Sequence, residues 1–95
     1  PSVDLDTAQQ DKMAHIAAKL LLAPGQRVLD IGCGWGGLSL YINRVSGAEV
    51  TGITLSEEQL KVARARAEAE GVADKVRFEL IDYRQHKWQY DRIVS

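Results

Sequence analysis

Two periodicities of apolar residues divide this chain. Val28, Leu29 and Ile31 form a short apolar run, enough for one buried strand, and Asp30 interrupts it near its end. Gly32, Gly34, Gly36 and Gly37 crowd in next. Leu38, Tyr41, Ile42 and Val45 then recur at i, i+3, i+4 and i+7, one face of a helix. The stretch predicts strand, glycine turn, helix. Upstream, Met13, Ile16, Ala17, Leu20 and Leu21 follow the same spacing and predict an amphipathic helix of about four turns. Asp6 or Thr7 suits its cap, with Gln9 or Gln10 as the capping-box partner, and Pro24-Gly25 is expected to end it.

Downstream, Gly47 sits where a helix C-cap belongs. The β-branched run Glu49–Thr54 predicts a second strand. Ser56-Glu57-Glu58-Gln59 is a capping box opening a helix to about Glu70, which Gly71 ends. Leu60, Ala63 and Ala67 form its narrow apolar face. Glu57 with Lys61, and Arg66 with Glu70, are expected to pair on the wet side. Val76–Leu80 alternates as a third strand. Residues 83–88 read as a polar connection, with His86 in a solvated loop, and residues 92–95 as the start of a fourth strand.

Strands alternating with helices imply parallel pairing through right-handed crossovers. The expected architecture is an α/β fold with parallel strands in the order 3-2-1-4 and flanking helices. Ligands of such sheets bind beyond the carboxyl ends of the strands, at the switch point between strands 1 and 4. Asp30 and the glycines end strand 1 there, Thr54 and Leu55 end strand 2, and Asp82 and Tyr83 end strand 3. Three separate stretches converge on one edge.

Composition narrows the function classes. The 95 residues allow a single small domain, with 45% hydrophobic and 26% charged residues, ordinary for a globular chain. A net charge of −1 forecasts neither nucleic acid nor an anionic membrane surface. The single cysteine, Cys33, excludes an internal disulfide and fits a reducing compartment. Nothing resembles a membrane span or a signal peptide. No ordered set of Cys, His, Asp and Glu suggests a metal site. The chain opens at Pro1 and stops at Ser95 inside an apolar run, so a piece of something longer is expected.

Gly32, Gly34 and Gly37 satisfy G-x-G-x-x-G, a weak sign of dinucleotide binding. Two details oppose a nicotinamide cofactor. Asp30 would face a pyrophosphate unfavourably, and the acidic residue expected ~20 positions on is replaced by Val50-Thr51-Gly52-Ile53-Thr54-Leu55. A carboxylate beside a glycine turn suits an amino group and a sulfonium instead. D-x-G-x-G after a strand resembles the S-adenosylmethionine (SAM) loop of Rossmann-like methyltransferases.

Val28-Leu-Asp-Ile-Gly-Cys-Gly-Trp-Gly-Gly37, Gly52-Ile-Thr-Leu-Ser-x-x-Gln59, Asp82-Tyr83-Arg84 and Tyr90-Asp-Arg-Ile-Val-Ser95 together resemble the cyclopropane-fatty-acyl-phospholipid synthases and their mycolic-acid-modifying relatives. The resemblance runs from about Ala8 to the end. It implies transfer of the SAM methyl to a cis double bond of a phospholipid acyl chain, with a carbocation that loses a proton to bound bicarbonate. It implies that Gly32, Gly34 and the neighbouring backbone of Cys33 and Gly36 hold the methionine moiety, and that Asp30 orients the loop and faces the amino group. Thr54 and Leu55 would border the ribose, Gln59 would bind its hydroxyls, and Asp82 and Tyr83 would meet the adenine. A cytoplasmic protein, peripheral at the inner membrane face and without nucleic-acid partners, is the matching expectation; oligomeric state is left open.

The family's catalytic segments, including the bicarbonate site, lie outside these residues. The chain is therefore expected to supply SAM binding, as residues 1–95 of a methyltransferase domain stopping at strand 4, and to be inactive alone. The rival readings are a SAM-binding module without turnover and a small-molecule SAM methyltransferase. Several residues also have plain structural roles open to them. Gln59 is explained by the capping box, Asp82 by a turn, Tyr83 by the core, and Cys33 by a small spacer that is no nucleophile.

Overall fold

The computed structural model describes residues 5–85 and 89–95, so the expected loop residue His86 lies outside the described residues. The elements are α1 (Leu5–Lys19), β1 (Arg27–Ile31), α2 (Gly37–Ser46), β2 (Glu49–Thr54), α3 (Glu57–Ala69), β3 (Val76–Leu80), a 3₁₀ turn (Tyr83–Gln85) and β4 (Arg92–Val94). The four strands form one sheet in the order β3-β2-β1-β4, all parallel, as the alternation of elements implied. Asp30 lies opposite Gly52 and Val94, and Gly52 opposite Phe78.

Alternation along the strands sorts the core. Val28, Val50, Val76 and Phe78 join Leu40 and Ile42 of α2 and Ala63 and Ala67 of α3 in one buried cluster. The alanines matter because small side chains let α3 lie close to the sheet. Gly36 and Gly52 complete this fit. A Cβ at Gly52 would stand 2.7 Å from Phe78 Cδ1 and 2.8 Å from Cys33 Cβ. One at Gly36 would stand 2.9 Å from Phe78 Cζ and 3.0 Å from Ala63 Cβ. The Phe78 ring fills the space that both glycines leave.

The helix ends follow the sequence signals closely. Gly47 adopts φ 74° and its N–H donates to the Asn43 carbonyl, a glycine C-cap. Ser56 Oγ accepts from the Gln59 N–H at 3.2 Å, capping α3. The first helix departs from expectation at both ends. Asp6 and Thr7 lie inside α1, which already includes Leu5. Its α-helix stops at Lys19, before Pro24-Gly25, and Leu21 turns left-handed at φ 52° with 76% of its surface exposed. Leu21 is therefore not on the apolar face. Its side chain was assigned there by spacing, but the backbone had already left the helix.

Other departures arise from tertiary partners. In α2 the buried residues are Ser39, Leu40 and Ile42, whereas Val45 is half exposed. Packing of α2 against both β2 and α1 widens its buried face beyond the apolar stripe. In α3 the expected pairs do not form. Arg66 Nη1 donates to the Trp35 carbonyl at 2.9 Å, and Glu70 pairs with Arg44 of α2 at 3.4 Å. Both side chains found partners across the fold instead of along the helix. At the entry to β1, the Arg27 N–H donates to Asp91 Oδ2 and the Asp91 N–H to the Arg27 carbonyl, each at 2.8 Å, which aligns β4 with β1. Arg92 Nε also donates to the Leu20 carbonyl at 2.8 Å.

Two substitutions test this packing in urea denaturation. Gly52→Ala forces a methyl against Phe78 and is expected to cost about 1–3 kcal/mol. Leu21→Gly removes left-handed strain from an exposed leucine and is expected to stabilise by about 0.5–1 kcal/mol, after the entropy that glycine adds to the unfolded chain.

Candidate functional site

The parallel sheet places the ends of β1, β2 and β3 side by side, and a cleft of about 350 Å³ opens there. That is at the lower end of the ~300–1,000 Å³ range of small-molecule pockets. Ile31, Ile53, Leu55 and Ile81 form an apolar shelf, and Gly32 and Thr54 form the floor between strands. Asp82, Tyr83 and Arg84 form the polar rim. A second depression of about 320 Å³ lies along α3 and β3, between Arg64 and Phe78, away from the converging strand ends.

The glycine turn is anchored by a single carbonyl. Gly32 and Cys33 both donate their N–H to the Ile53 oxygen, each at 3.0 Å, and Gly36 donates to the Cys33 carbonyl at 3.1 Å. Gly32 and Gly34 take φ 70° and 57°, and a Cβ at either would meet nothing within 4 Å. The fold itself leaves room for side chains there, so what these glycines keep clear is the space beyond the strand ends. Cys33 points the other way, into the core against Gly52. Burial, with a further push from the Asp30 charge, raises its thiol to about 11. It is a buried thiol, as a spacer should be.

Asp30 is 97% buried at the end of β1, since only 3% of its surface is exposed, and its Oδ2 accepts from Ser39 Oγ at 2.7 Å. This bond crosses the glycine turn and ties β1 to the first turns of α2. Burial raises the Asp30 pKa, and the Ser39 hydroxyl opposes that shift in part. Thr54 Oγ1 accepts from the Ser56 N–H at 3.1 Å and donates to Gln59 Oε1 at 3.3 Å. Gln59 thus stands behind Thr54 and is not part of the cleft wall.

Asp82 is held by its own neighbour. Arg84 donates from Nη2 to Oδ2 at 2.6 Å, from Nε to both oxygens, and from its backbone N–H to Oδ1 at 3.0 Å. These bonds, the side-chain ones foremost, hold the Asp82 carboxyl at about 2, below the usual range. Tyr83 is half exposed at the rim, not in the core.

Five residues singled out in the sequence, Gly32, Thr54, Leu55, Asp82 and Tyr83, thus meet in one cleft. Asp30 and Gly34 flank it. Cys33 and Gly36, expected among the contacting backbone, are instead taken up by the fold: both Cys33 backbone groups are bonded, and Gly36 packs on Phe78 and Ala63. Arg84 and the isoleucine shelf escaped sequence reasoning. The D-x-R spacing of Asp82 and Arg84 was the available signal, since a side chain two residues past an Asx turn can fold back on it. Among the described residues, no group of three or more His, Cys, Asp and Glu is placed to hold a metal ion.

The sheet order and the ligand edge define the Rossmann-like fold of the SAM-dependent methyltransferases. A SAM-dependent methyltransferase from Thiobacillus denitrificans, solved with S-adenosyl-L-homocysteine (SAH), superposes with a TM-score of 0.74 at 39% identity, covering 83% of this chain and 32% of that one. The family described as mycolic acid cyclopropane synthetase matches residues 1–95, and the chain belongs to it. A Pseudomonas putida protein named "Probable fatty acid methyltransferase" is 50% identical over 97 residues, covering 100% of this chain and 25% of its own length. The cyclopropane-fatty-acyl-phospholipid synthase of Escherichia coli K12 is 49% identical over 92 residues, covering 97% of this chain and 23% of its own length. The chain spans about a quarter of these relatives.

The buried Asp30 charge has a measurable consequence. Its pKa is raised above the unfolded value, so its favourable contribution exists below about pH 4 and is lost as pH rises through the folded pKa. Ionising the buried group therefore costs stability as pH rises. Asp30→Asn is expected to raise the melting temperature at pH 7 by ~4–8 °C, for a gain of about 1 kcal/mol in a domain this size. The gain should shrink toward pH 3 in calorimetric scans.

Proposed function

We propose that this chain is the SAM-binding portion of a methyltransferase that modifies lipid acyl chains at a cis double bond. The observation that carries the reading is the cleft: an open glycine edge, an apolar shelf and one acidic group at the ends of three adjacent strands. The cofactor fits that donor set. Its purine can lie on Ile31, Ile53 and Ile81, with Tyr83 and Asp82 at its polar edge. Its methionine end can run along Gly32 and Gly34, where no side chain intervenes. The Asp30 charge sits beneath that run and favours the cationic amino group. Thr54 and Leu55, at the end of the second strand, are the residues that border the ribose, with Gln59 of α3 behind Thr54.

When bound, SAM would supply an electrophilic methyl on a sulfonium. The residues described here bind and orient; none is assigned to proton removal. The cleft wall holds no His, Cys or Glu among the described residues, and its one carboxylate is already ion-paired. This favours a chain that binds the cofactor without turning it over, with ring formation and a bicarbonate site belonging to other parts of a complete enzyme. The lipid substrate is proposed from the family and from the names of the relatives. Among the described residues no helix is long and apolar enough to cross a membrane. A cytoplasmic enzyme reaching lipid from the membrane surface is the corresponding proposal.

A ¹⁵N–¹H correlation spectrum with and without SAH tests the cofactor site. Shifts are expected at Gly32, Gly34, Thr54, Leu55, Asp82 and Tyr83, with no competition by NAD. Gly34→Val, which projects a side chain into the open edge, is expected to weaken SAH at least about tenfold. Cys33→Ser should change affinity by less than about threefold, because the thiol faces the core. A well-dispersed spectrum that SAH leaves unchanged would overturn the reading.

A further inference from the structure

The acidic group of the cleft is already occupied from within the chain. Asp82 Oδ1 accepts from the Arg84 backbone N–H at 3.0 Å and from Arg84 Nε at 3.1 Å. Oδ2 accepts from the same Nε at 3.2 Å and from Nη2 at 2.6 Å. A carboxylate offers about four lone-pair sites, so one neighbour engages them all. Local sequence builds this arrangement. The backbone bond is an Asx turn, which opens the 3₁₀ turn at Tyr83–Gln85 and carries the Arg84 side chain back over Asp82. The carboxylate is part-exposed at the cleft rim, with 22% of its side chain exposed, whereas the Arg84 side chain is 75% exposed. Both residues line the cleft. A ligand amine approaching Asp82 therefore meets an acceptor whose sites are filled.

We propose that Arg84 is a specificity-determining residue that competes with the ligand for Asp82. The guanidinium holds the carboxylate in the free protein, and the exocyclic amine of an adenine gains Oδ2 by displacing the Nη2 arm. This rests on the cleft being an adenosyl site. The two oxygens are not equivalent. Oδ1 is tied to the backbone, and that bond keeps the carboxylate aimed whatever the guanidinium does. Oδ2 is bonded only to side-chain nitrogens and can change partners. The released guanidinium stays in solvent, so the exchange is cheap, and exposed pairs of this kind alter a competing equilibrium by about two- to fivefold. The competition also weakens discrimination between purines. A ligand with a carbonyl in place of the amine loses the exocyclic donor and keeps only the ring N1–H beside it, but its carbonyl can accept a hydrogen bond from Arg84.

Titration calorimetry with SAH and with S-inosylhomocysteine, its 6-oxo analogue, tests this on the unaltered protein, Arg84→Met, Asp82→Asn and the double variant. Arg84→Met is expected to bind SAH about two- to fivefold more tightly and to raise the preference for SAH over the analogue by at least that factor. With Asp82→Asn already in place, Arg84→Met should add less preference than it does alone, because the contested acceptor has lost its charge and only the Arg84 contact to the analogue's carbonyl remains to be lost. In the unaltered protein the Arg84 Nε–H resonance should shift when SAH saturates the site. Weaker SAH binding by Arg84→Met, or an unchanged ratio of the two ligands, overturns the proposal. If a well-folded protein and all its variants fail to bind SAH, the adenosyl reading itself falls, and this inference falls with it.

Discussion

The Ile53 carbonyl holds the site together. It accepts two N–H groups from the chain leaving β1, so the glycine turn hangs from the neighbouring strand and not from its own. That bond sets where Gly32 and Gly34 face and turns the Cys33 side chain into the core. It works only if β2 comes close beneath the turn. Gly52 permits this, because any side chain there would strike Phe78 and Cys33. Phe78 on β3 thus reaches beneath β2 and the glycine turn and braces both Gly52 and Gly36. The open edge at the strand ends and the dense packing below it are two faces of one arrangement.

Charge is placed with the same economy. Asp30 is buried at a cost to stability, offset in part by the Ser39 hydroxyl, beside the glycine turn. Asp82 is treated in the opposite way, held ionised at the surface by Arg84. A buried, raised carboxyl and a clamped, lowered one stand at the two ends of the same strand edge. Such separation is common where groups are set for binding and not for folding. The fold alone does not carry that inference, since one architecture hosts many chemistries.

Much of this was legible in the chain. The apolar run at Val28, the β-branched run at Val50 and the alternation at Val76 marked three strands within a residue of their observed limits, because strand patterns depend on burial alone. Ser56, Gly47 and Gly71 marked helix ends, because caps are local hydrogen-bond chemistry. The candidate site was legible through the ends of those strands: Gly32, Thr54, Leu55, Asp82 and Tyr83 do meet. The parts that were not legible depend on partners distant in sequence. Val45 is half exposed because the buried face of α2 is centred on Ser39, Leu40 and Ile42. Arg66 left Glu70 for the Trp35 carbonyl. Ser56 caps the Gln59 N–H, but the Gln59 side chain bonds Thr54 and not the Ser56 N–H that a capping box would engage.

The sequence by itself determined the element order, the parallel sheet and the edge on which ligand chemistry gathers, since periodicity, glycine and capping residues act over a few positions. Tertiary structure alone decided which glycines border open space and which pack against the core. Gly34 and Gly36 are indistinguishable as letters in one motif, yet one faces open space and the other faces Phe78 and Ala63. It also decided that Asp30 would be buried against Ser39. These outcomes depend on what lies across the gap from each residue, and that is settled only when β2, β3 and α3 close around the turn.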